Sequence, residues 1–418
     1  MATVRFYGGV GVIGSSKILI EQGGWRVLLD FGLDFSPGTG LFRGAVGPRP
    51  GHELSDRLKT QMAPGIPYLY RPELMGSAGD LPSGTDGRTA VFITHAHIDH
   101  IGLAGDIDPR IPIWASGDTS RIMNALKSSQ ELQGPWPELQ VMAAESPVSF
   151  GPFRVVRYDV DHDIVGASGY GVETEDGVVA FSGDLRLHGR HPEKTWQFAQ
   201  KVQGARALIM EGTTLSFGFQ EAVRTEEQVD QDFARIVGMT PGLVLATVYP
   251  RNIERVAAFM QVAEDLHREF LWPRPLARFF QAMGLKAKEW DAERLEGVNK
   301  HPERYIMQLS PPDWPMMLDL PLGPGAAFIH ANGEPLGAFD PHWTLLQDWL
   351  AALHTGFWPI GTGGHASPDG IRQLLETIRP DILFPLHSRE PDRMLPPPGT
   401  ARWLPEKGRV YDLSLTAS

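Results

Sequence analysis

The sequence predicts an α/β protein built from layered sheets, and two observations carry that prediction. Up to about residue 210, short β-type runs separated by glycines dominate, with helical stretches between them. Beyond about residue 220, apolar strands alternate with amphipathic helices, the pattern of a parallel α/β unit. A chain of 418 residues exceeds a single ordinary core, so one to three domains are expected.

From the N-terminus, "TVRFYG", "SKILIE" and "WRVLLDFG" read as short strands. Residues 35–88 are rich in Gly and Pro and predict a surface excursion with short helices. "AVFIT" reads as a buried strand and "TSRIMNALKSSQEL" as a helix. "FRVVRYDV", "YGVETED", "GVVAFSGD" and "RALIMEG" return to strands. "EEQVDQDFARIVGM" is a helix pattern, "GLVLATVY" a continuous apolar strand, and "RNIERVAAFMQVAEDLHREF" a long amphipathic helix. "RYIMQLS" and "AAFIHA" add strands around helical material that includes "HWTLLQDWLAALH". "DGIRQLLETIRPDILFPLHS" gives a helix, a strand and a histidine at the strand end.

Composition narrows the function. Apolar content of 42% and charged content of 21% suit a globular protein, and no apolar run approaches membrane-spanning length. The start "MATVRFYGG" shows no secretory pattern, so a cytoplasmic location is expected. The absence of cysteine excludes disulfides, thiolate catalysis and Cys-type zinc sites. A metal site must therefore use His, Asp and Glu, a donor set that suits Zn, Mn or Fe. The net charge of −12 weighs against bulk electrostatic binding of nucleic acid. Local positive charge would have to come from metals or a patch. "RNIER" offers Arg251 and Arg255, and "HREFLWPRPLARFF" mixes Arg274 and Arg278 with Trp272 and Phe279. That mixture suits a single-strand channel, or equally an amphipathic helix edge with snorkelling arginines.

"GVGVIG", Gly9 to Gly14, matches G-x-G-x-x-G, with Asp30 some way on. A dinucleotide site needs a helix to begin inside the glycines. The next segment, "SSKILIEQGG", alternates like a strand, so a glycine-rich hairpin is expected instead.

The chemistry concentrates at "THAHIDH". In an extended segment, residues two apart point the same way, so His95 and His97 can reach one ion. Asp99 and His100 face a second position as the chain turns. His162 follows the strand "FRVVRYDV", Asp184 ends "VVAFSGD", and His387 ends "DILFPLHS". Together they supply seven donors, the number for two ions sharing one carboxylate.

H-x-H-x-D-H, a downstream His, "SGD" and a late His together resemble the metallo-β-lactamase superfamily, whose fold is an αβ/βα sandwich with metals at the sheet edges. The resemblance implies that His95, His97 and His162 hold one metal, that Asp99, His100 and His387 hold the other, and that Asp184 bridges them. Asp30 in "LLDFG" resembles the aspartate that braces the metal loop. The stretch from 215 to 385, before the last ligand, resembles the insertion of the β-CASP nucleases. Glu211 in "LIMEGTTL", His365 in "GGHASPDG" and His387 in "PLHS" are similar to that branch's further motifs, and the His at the last matches its RNA-directed members. The opening "GGVGVIGSS" and the "GHAS…PLHS" spacing are most similar to the ribonuclease J group.

The resemblance divides the chain into a metallo-β-lactamase domain over 1–214, an inserted α/β β-CASP domain over 215–360, and a return segment over 361–418. It implies a ribonuclease, exo- or endonuclease or both, that hydrolyses single-stranded RNA, with single-stranded DNA as a further substrate class. Two divalent ions, Zn²⁺ or Mn²⁺, would carry an attacking bridging hydroxide. Asp99 and Asp184 are expected to be catalytic, with His365 as general acid and Glu211 orienting it. Thr362, Ser367 and Arg251 are candidate phosphate contacts. No membrane partner is implied, and a monomer or homodimer is expected. Ribonuclease J proteins carry His-x-Ser before the Gly-His-Ala-Ser, whereas this chain has Gly361 and Gly363 there. Their tight 5′-phosphate pocket is therefore not carried over. Two rival readings are a small-ester or lactone metallo-hydrolase of the same superfamily and a non-catalytic RNA-binding scaffold.

Overall fold

The computed structural model describes all residues except 35–40, 43–45, 78, 130–133, 218–222, 339, 341 and 416–418. Part of the predicted excursion over 35–88, and the end of the helix predicted over 119–132, lie outside the described residues.

Two seven-stranded sheets lie face to face. In spatial order the first holds Val410–Asp412, Thr3–Phe6, Ile18–Gln22, Trp25–Leu29, Thr89–Phe92, Ile113–Ala115 and Leu139–Val141. The second holds Ala401–Arg402, Ile382–Leu386, Ala207–Glu211, Gly177–Phe181, Ser168–Thr174, Phe153–Asp159 and Val148–Phe150. The alternation of side chains along each strand explains both faces. Val27, Leu29, Ala90 and Phe92 meet Val155, Val172, Val179 and Phe181 between the sheets. Their neighbours Leu28, Val91 and Ile93 turn the other way and pack with Ile122 and Leu126 of the helix Gly117–Ser129. Burial on both faces is why "VLL", Val27 to Leu29, and "AVF", Ala90 to Phe92, are continuously apolar. Outside the second sheet, helices Pro192–Lys201 and Pro368–Ile378 supply Phe198, Leu374 and Leu375 to the same outer core. The architecture is the αβ/βα sandwich that the sequence predicts.

"GVGVIG" joins the antiparallel strands Thr3–Phe6 and Ile18–Gln22 and starts no helix, as the hairpin reading requires.

A third sheet is drawn entirely from the chain between the second sheet's Ala207–Glu211 and Ile382–Leu386. Its order is Lys288–Glu289, Glu269–Trp272, Tyr305–Gln308, Val244–Val248, Ala327–Ala331 and Gly356–Pro359, and every pairing is parallel. The chain leaves Val244–Val248 towards Glu269–Trp272 on one side, and Ala327–Ala331 and Gly356–Pro359 are added on the other, so the carboxyl end of that strand opens at a switch point.

Two expectations are corrected here. The long helix read over 251–270 stops at Asp265: His267 adopts φ +57, and Glu269–Trp272 becomes a strand. The basic-aromatic surface does not form, because Trp272 and Phe279 are fully buried in the core. Arg274 instead pairs with Glu289 at 3.6 Å.

One buried ionic network ties the third sheet to the sandwich. Glu226 accepts from Arg186 Nη1 (2.7 Å), Arg255 Nη2 (2.7 Å) and Arg255 Nε (3.0 Å), and all three side chains are 1% exposed. Arg255 also donates to Ala331 O and Thr362 O, both at 3.0 Å. Burial alone would raise the Glu226 carboxyl, but Arg255 and Arg186 hold it down to about 2. Glu226→Ala removes the carboxylate that Arg255 and Arg186 share and leaves Arg186 with only Asp161, at 3.2 Å, from this network. It is expected to cost about 3–5 kcal/mol, read by denaturant unfolding; a change under about 1 kcal/mol would show that the network does not act as described.

Candidate metal centre

The candidate donors lie where strands of both sheets end. The chain leaves Thr89–Phe92 through Ile93 and Thr94, and the Ile93 carbonyl accepts from the buried Tyr170 hydroxyl of the opposite sheet at 2.8 Å. That contact pins the segment just before His95. His95 and His97 follow in extended backbone, and the single turn Ile98–Ile101 carries Asp99 and His100. His162 follows Phe153–Asp159, Asp184 follows Gly177–Phe181, and His387 follows Ile382–Leu386.

These seven donors form two overlapping groups. His95, His97, His162 and Asp184 each offer an atom within 4.8 Å of the others, and so do Asp99, His100, Asp184 and His387. Asp184 Oδ2 sits between them, 3.2 Å from His100 Nε2, 3.7 Å from His387 Nε2, 3.8 Å from His162 Nε2 and 3.9 Å from His95 Nε2. Asp99 Oδ2 lies 3.1 Å from His387 Nε2 and 3.6 Å from His100 Nε2. His95 Nε2 and His100 Nε2 are buried beside this carboxylate without a hydrogen-bond partner. Buried polar atoms are normally bonded, so unpartnered imidazole nitrogens converging on a shared carboxylate fit a pair of divalent cations. The donor set is nitrogen and oxygen only, within the range of borderline and hard cations.

The electrostatics of His95, His97 and Asp99 agree. Burial, reinforced by the neighbouring histidines, holds His95 well below the ordinary imidazole value. Burial also pulls His97 down to about 4 against the opposing Asp163. Both therefore stand neutral with a lone pair to give. Burial would raise Asp99, but His100 and His387 hold it at about 2. His100 goes the other way: burial lowers it, and Asp184, Asp99 and Asp30 outweigh that and raise it well above normal.

Asp30 underlies this loop. Its Oδ1 accepts from Thr94 N at 2.7 Å, and its Oδ2 accepts from Thr94 Oγ1 at 2.8 Å and lies 2.7 Å from His100 Nδ1. The glycine hairpin closes the other side. Gly14 has φ +94, and a Cβ there would come within 2.9 Å of Asp99 Oδ2. Lys17 is buried beneath, donating to Ser15 O and Gly32 O, and burial drops it to about 7.

Glu211 and His365 adjoin the cluster. Parallel pairing sets Glu211 opposite Leu386, one residue before His387. Glu211 Oε1 accepts from His365 Nδ1 at 3.0 Å, and Oε2 accepts from Thr213 N at 2.9 Å. Burial would lower His365, but Glu211 and Asp184 raise it to about 10. His365 keeps 24% of its side chain exposed, so a ligand can reach it.

The three candidate phosphate contacts are each engaged elsewhere. Thr362 Oγ1 donates to Arg224 O at 2.7 Å, Ser367 Oγ caps the helix Pro368–Ile378 by accepting from Gly370 N, and the Arg251 guanidinium lies 4.8 Å from the Phe279 ring centroid. Gly361 is packed so closely that a Cβ would meet Asn332 Oδ1 at 2.0 Å, which leaves no room for a histidine. Sequence reasoning missed two residues at the centre. Asp163 Oδ1 lies 3.3 Å from His162 Nε2, and the Tyr249 ring, at the switch point of the third sheet, stands 5.5 Å from the His97 ring. The available signals were a carboxylate adjacent to a ligand histidine and an aromatic ending an apolar strand.

Comparison with known proteins points to the same fold. A family model described as a beta-lactamase superfamily domain matches residues 75–232. Ribonuclease J of Sinorhizobium meliloti is 27% identical over 416 residues, which cover 91% of this chain and 67% of that protein. Ribonuclease J of Thermus thermophilus is 22% identical over 96% of this chain and 69% of its own length. The chain spans only 35% of the ribonuclease J of Helicobacter pylori, which it matches at 21% identity. A crystal structure of a protein of unknown function from Enterococcus faecalis V583 superposes with a TM-score of 0.82 at 27% identity, covering 98% of this chain and 99% of that one. Among the described residues, no helix is long and apolar enough to cross a membrane.

Proposed function

From a chain that carries a β-lactamase superfamily domain and is similar along most of its length to ribonuclease J proteins, we infer a phosphodiesterase that uses two divalent cations to hydrolyse single-stranded RNA. The observation that carries this reading is Asp184 Oδ2, set between two donor groups at the mouth of the sandwich. His95, His97 and His162 would hold one cation and Asp99, His100 and His387 the other, with Asp184 placed to serve both. Zn²⁺ and Mn²⁺ are the cations this donor set suits best. When bound, they supply Lewis-acid polarisation of a phosphate and a water acidified towards neutral pH.

The remaining steps belong to side chains. The departing sugar oxygen needs a proton, and His365 is the donor: it stays an imidazolium at neutral pH because Glu211 balances its charge. The 3.0 Å bond from Nδ1 to Glu211 orients the ring and leaves Nε2 to give the proton. Nothing in these contacts senses a 2′-hydroxyl, so single-stranded DNA is included as a substrate. The filled space at Gly361 removes one source of 5′-end preference and leaves internal cleavage open beside digestion from an end.

The test uses 5′-labelled single-stranded RNA and its DNA counterpart, with the metal-stripped chain and then with Mn²⁺ or Zn²⁺ restored. Cleavage of RNA only after metal is restored is the expected result. A chain that holds two metals per molecule yet cuts neither strand would overturn the nuclease reading.

A further inference from the structure

Each histidine of the two pockets turns one ring nitrogen inward and one outward, and the partner of the outward nitrogen selects the tautomer. Four outward nitrogens have close partners. His95 Nδ1 meets Thr94 Oγ1 at 2.9 Å; Thr94 already donates to Asp30, so it accepts here. His100 Nδ1 meets Asp30 at 2.7 Å, His162 Nδ1 meets Gly364 O at 2.5 Å, and His387 Nδ1 meets Thr213 Oγ1 at 2.8 Å.

His97 is turned the other way. Its Nδ1 faces inward, 3.3 Å from His162 Nε2, so Nε2 is its outward nitrogen. Asp163 Oδ1 lies 3.6 Å from that Nε2. Both atoms are buried, and neither has a hydrogen-bond partner. A donor lacking an acceptor thus faces an acceptor lacking a donor, a few tenths of an ångström beyond bonding distance. Asp163 Oδ1 also lies 3.3 Å from His162 Nε2, but His162 carries its proton on Nδ1, towards Gly364, and offers none there. Gly364 lets the carboxylate sit in this place, since a Cβ at 364 would come within 2.6 Å of Asp163 Cγ.

We propose that Asp163 is the positioning carboxylate of His97: it accepts the Nε2 proton, which keeps the Nδ1 lone pair directed at the cation held with His95 and His162. The proposal rests on the reading of this centre as a metal site. It gives His97 the outer partner that Asp30 gives His100, from a residue on a different loop. A cation drawing Nδ1 inward needs only a small ring rotation to close the gap.

The test is Zn²⁺ binding by the full chain after stripping, in competition with a chromophoric chelator. Wild type is expected to take up two ions. Asp163→Ala is expected to bind one of them about 10- to 100-fold more weakly and the other unchanged. Asp163→Asn, which keeps an acceptor but not the charge, is expected to fall between. Two ions bound by Asp163→Ala with wild-type affinity would overturn this proposal alone, while a wild type that binds none would overturn the metal reading with it. Should Asp163→Ala not fold, ¹⁵N-histidine spectra of zinc-loaded wild type decide: one imidazole protonated on Nε2 and bound through Nδ1 is expected, and its absence refutes the proposal. A zinc-loaded crystal structure with the Asp163 carboxylate on the metal would refute it as well.

Discussion

Asp184→Ala is expected to lower bound metal from two ions to one or none and to reduce RNA cleavage by about 10³-fold or more. The magnitude comes from shared dependence: groups that act as one unit fail together when one is removed. Asp184 Oδ2 is within 4 Å of four imidazole nitrogens drawn from both donor groups. No other residue named at the centre belongs to both pockets that contain the "THAHIDH" ligands. Removing its carboxylate also leaves the raised His100 imidazole without its strongest opposing charge. Metal analysis of the purified variant beside a cleavage assay checks the prediction. Two metals bound at wild-type affinity would show that Asp184 is not the bridge.

His365→Ala is expected to slow cleavage by about 10²- to 10⁴-fold with both metals retained, the range for loss of a general acid. The pairing with Glu211 adds a pH signature. An acid works while protonated, and His365 is held protonated up to about 10, so wild-type activity should persist to alkaline pH and fall as that value is passed. Glu211→Gln removes the charge that raises His365, and its alkaline limb should move to lower pH. A rate–pH profile identical to wild type in Glu211→Gln would refute the acid role. Equal loss of metal and activity in His365→Ala would reassign His365 to metal binding.

Much of the centre is readable from the chain because its donors sit at strand ends. An apolar run fixes where a strand stops, and the next polar residue is then held at the sheet edge, as for Asp184 after "VVAF" and His387 after "ILFPL". Asp163 cannot be read this way. It lies in a loop, where no two-residue period fixes direction, and its proximity to His97 depends on a glycine 201 positions later. The helix over 251–270 is misread for a related reason: amphipathic spacing continues through "DLHREF", and only the left-handed His267 breaks it. The arginine-aromatic surface fails because composition cannot tell an aromatic facing solvent from one filling a core, and Trp272 and Phe279 fill it. Arg255 reads as a surface cation in the sequence, yet its partner Glu226, on a helix separated from it by a strand, takes it out of solvent.

The last ligand has a consequence for how the molecule comes into being. His95, His97, His162 and Asp184 are all made before the third sheet, whereas His387 comes after it. About 200 residues separate Asp184 from His387, on the order of ten to forty seconds of synthesis at ~5–20 residues per second. During that interval the emerging chain carries six of the seven candidate donors, and it lacks both His387 and the Gly364 carbonyl that meets His162 Nδ1.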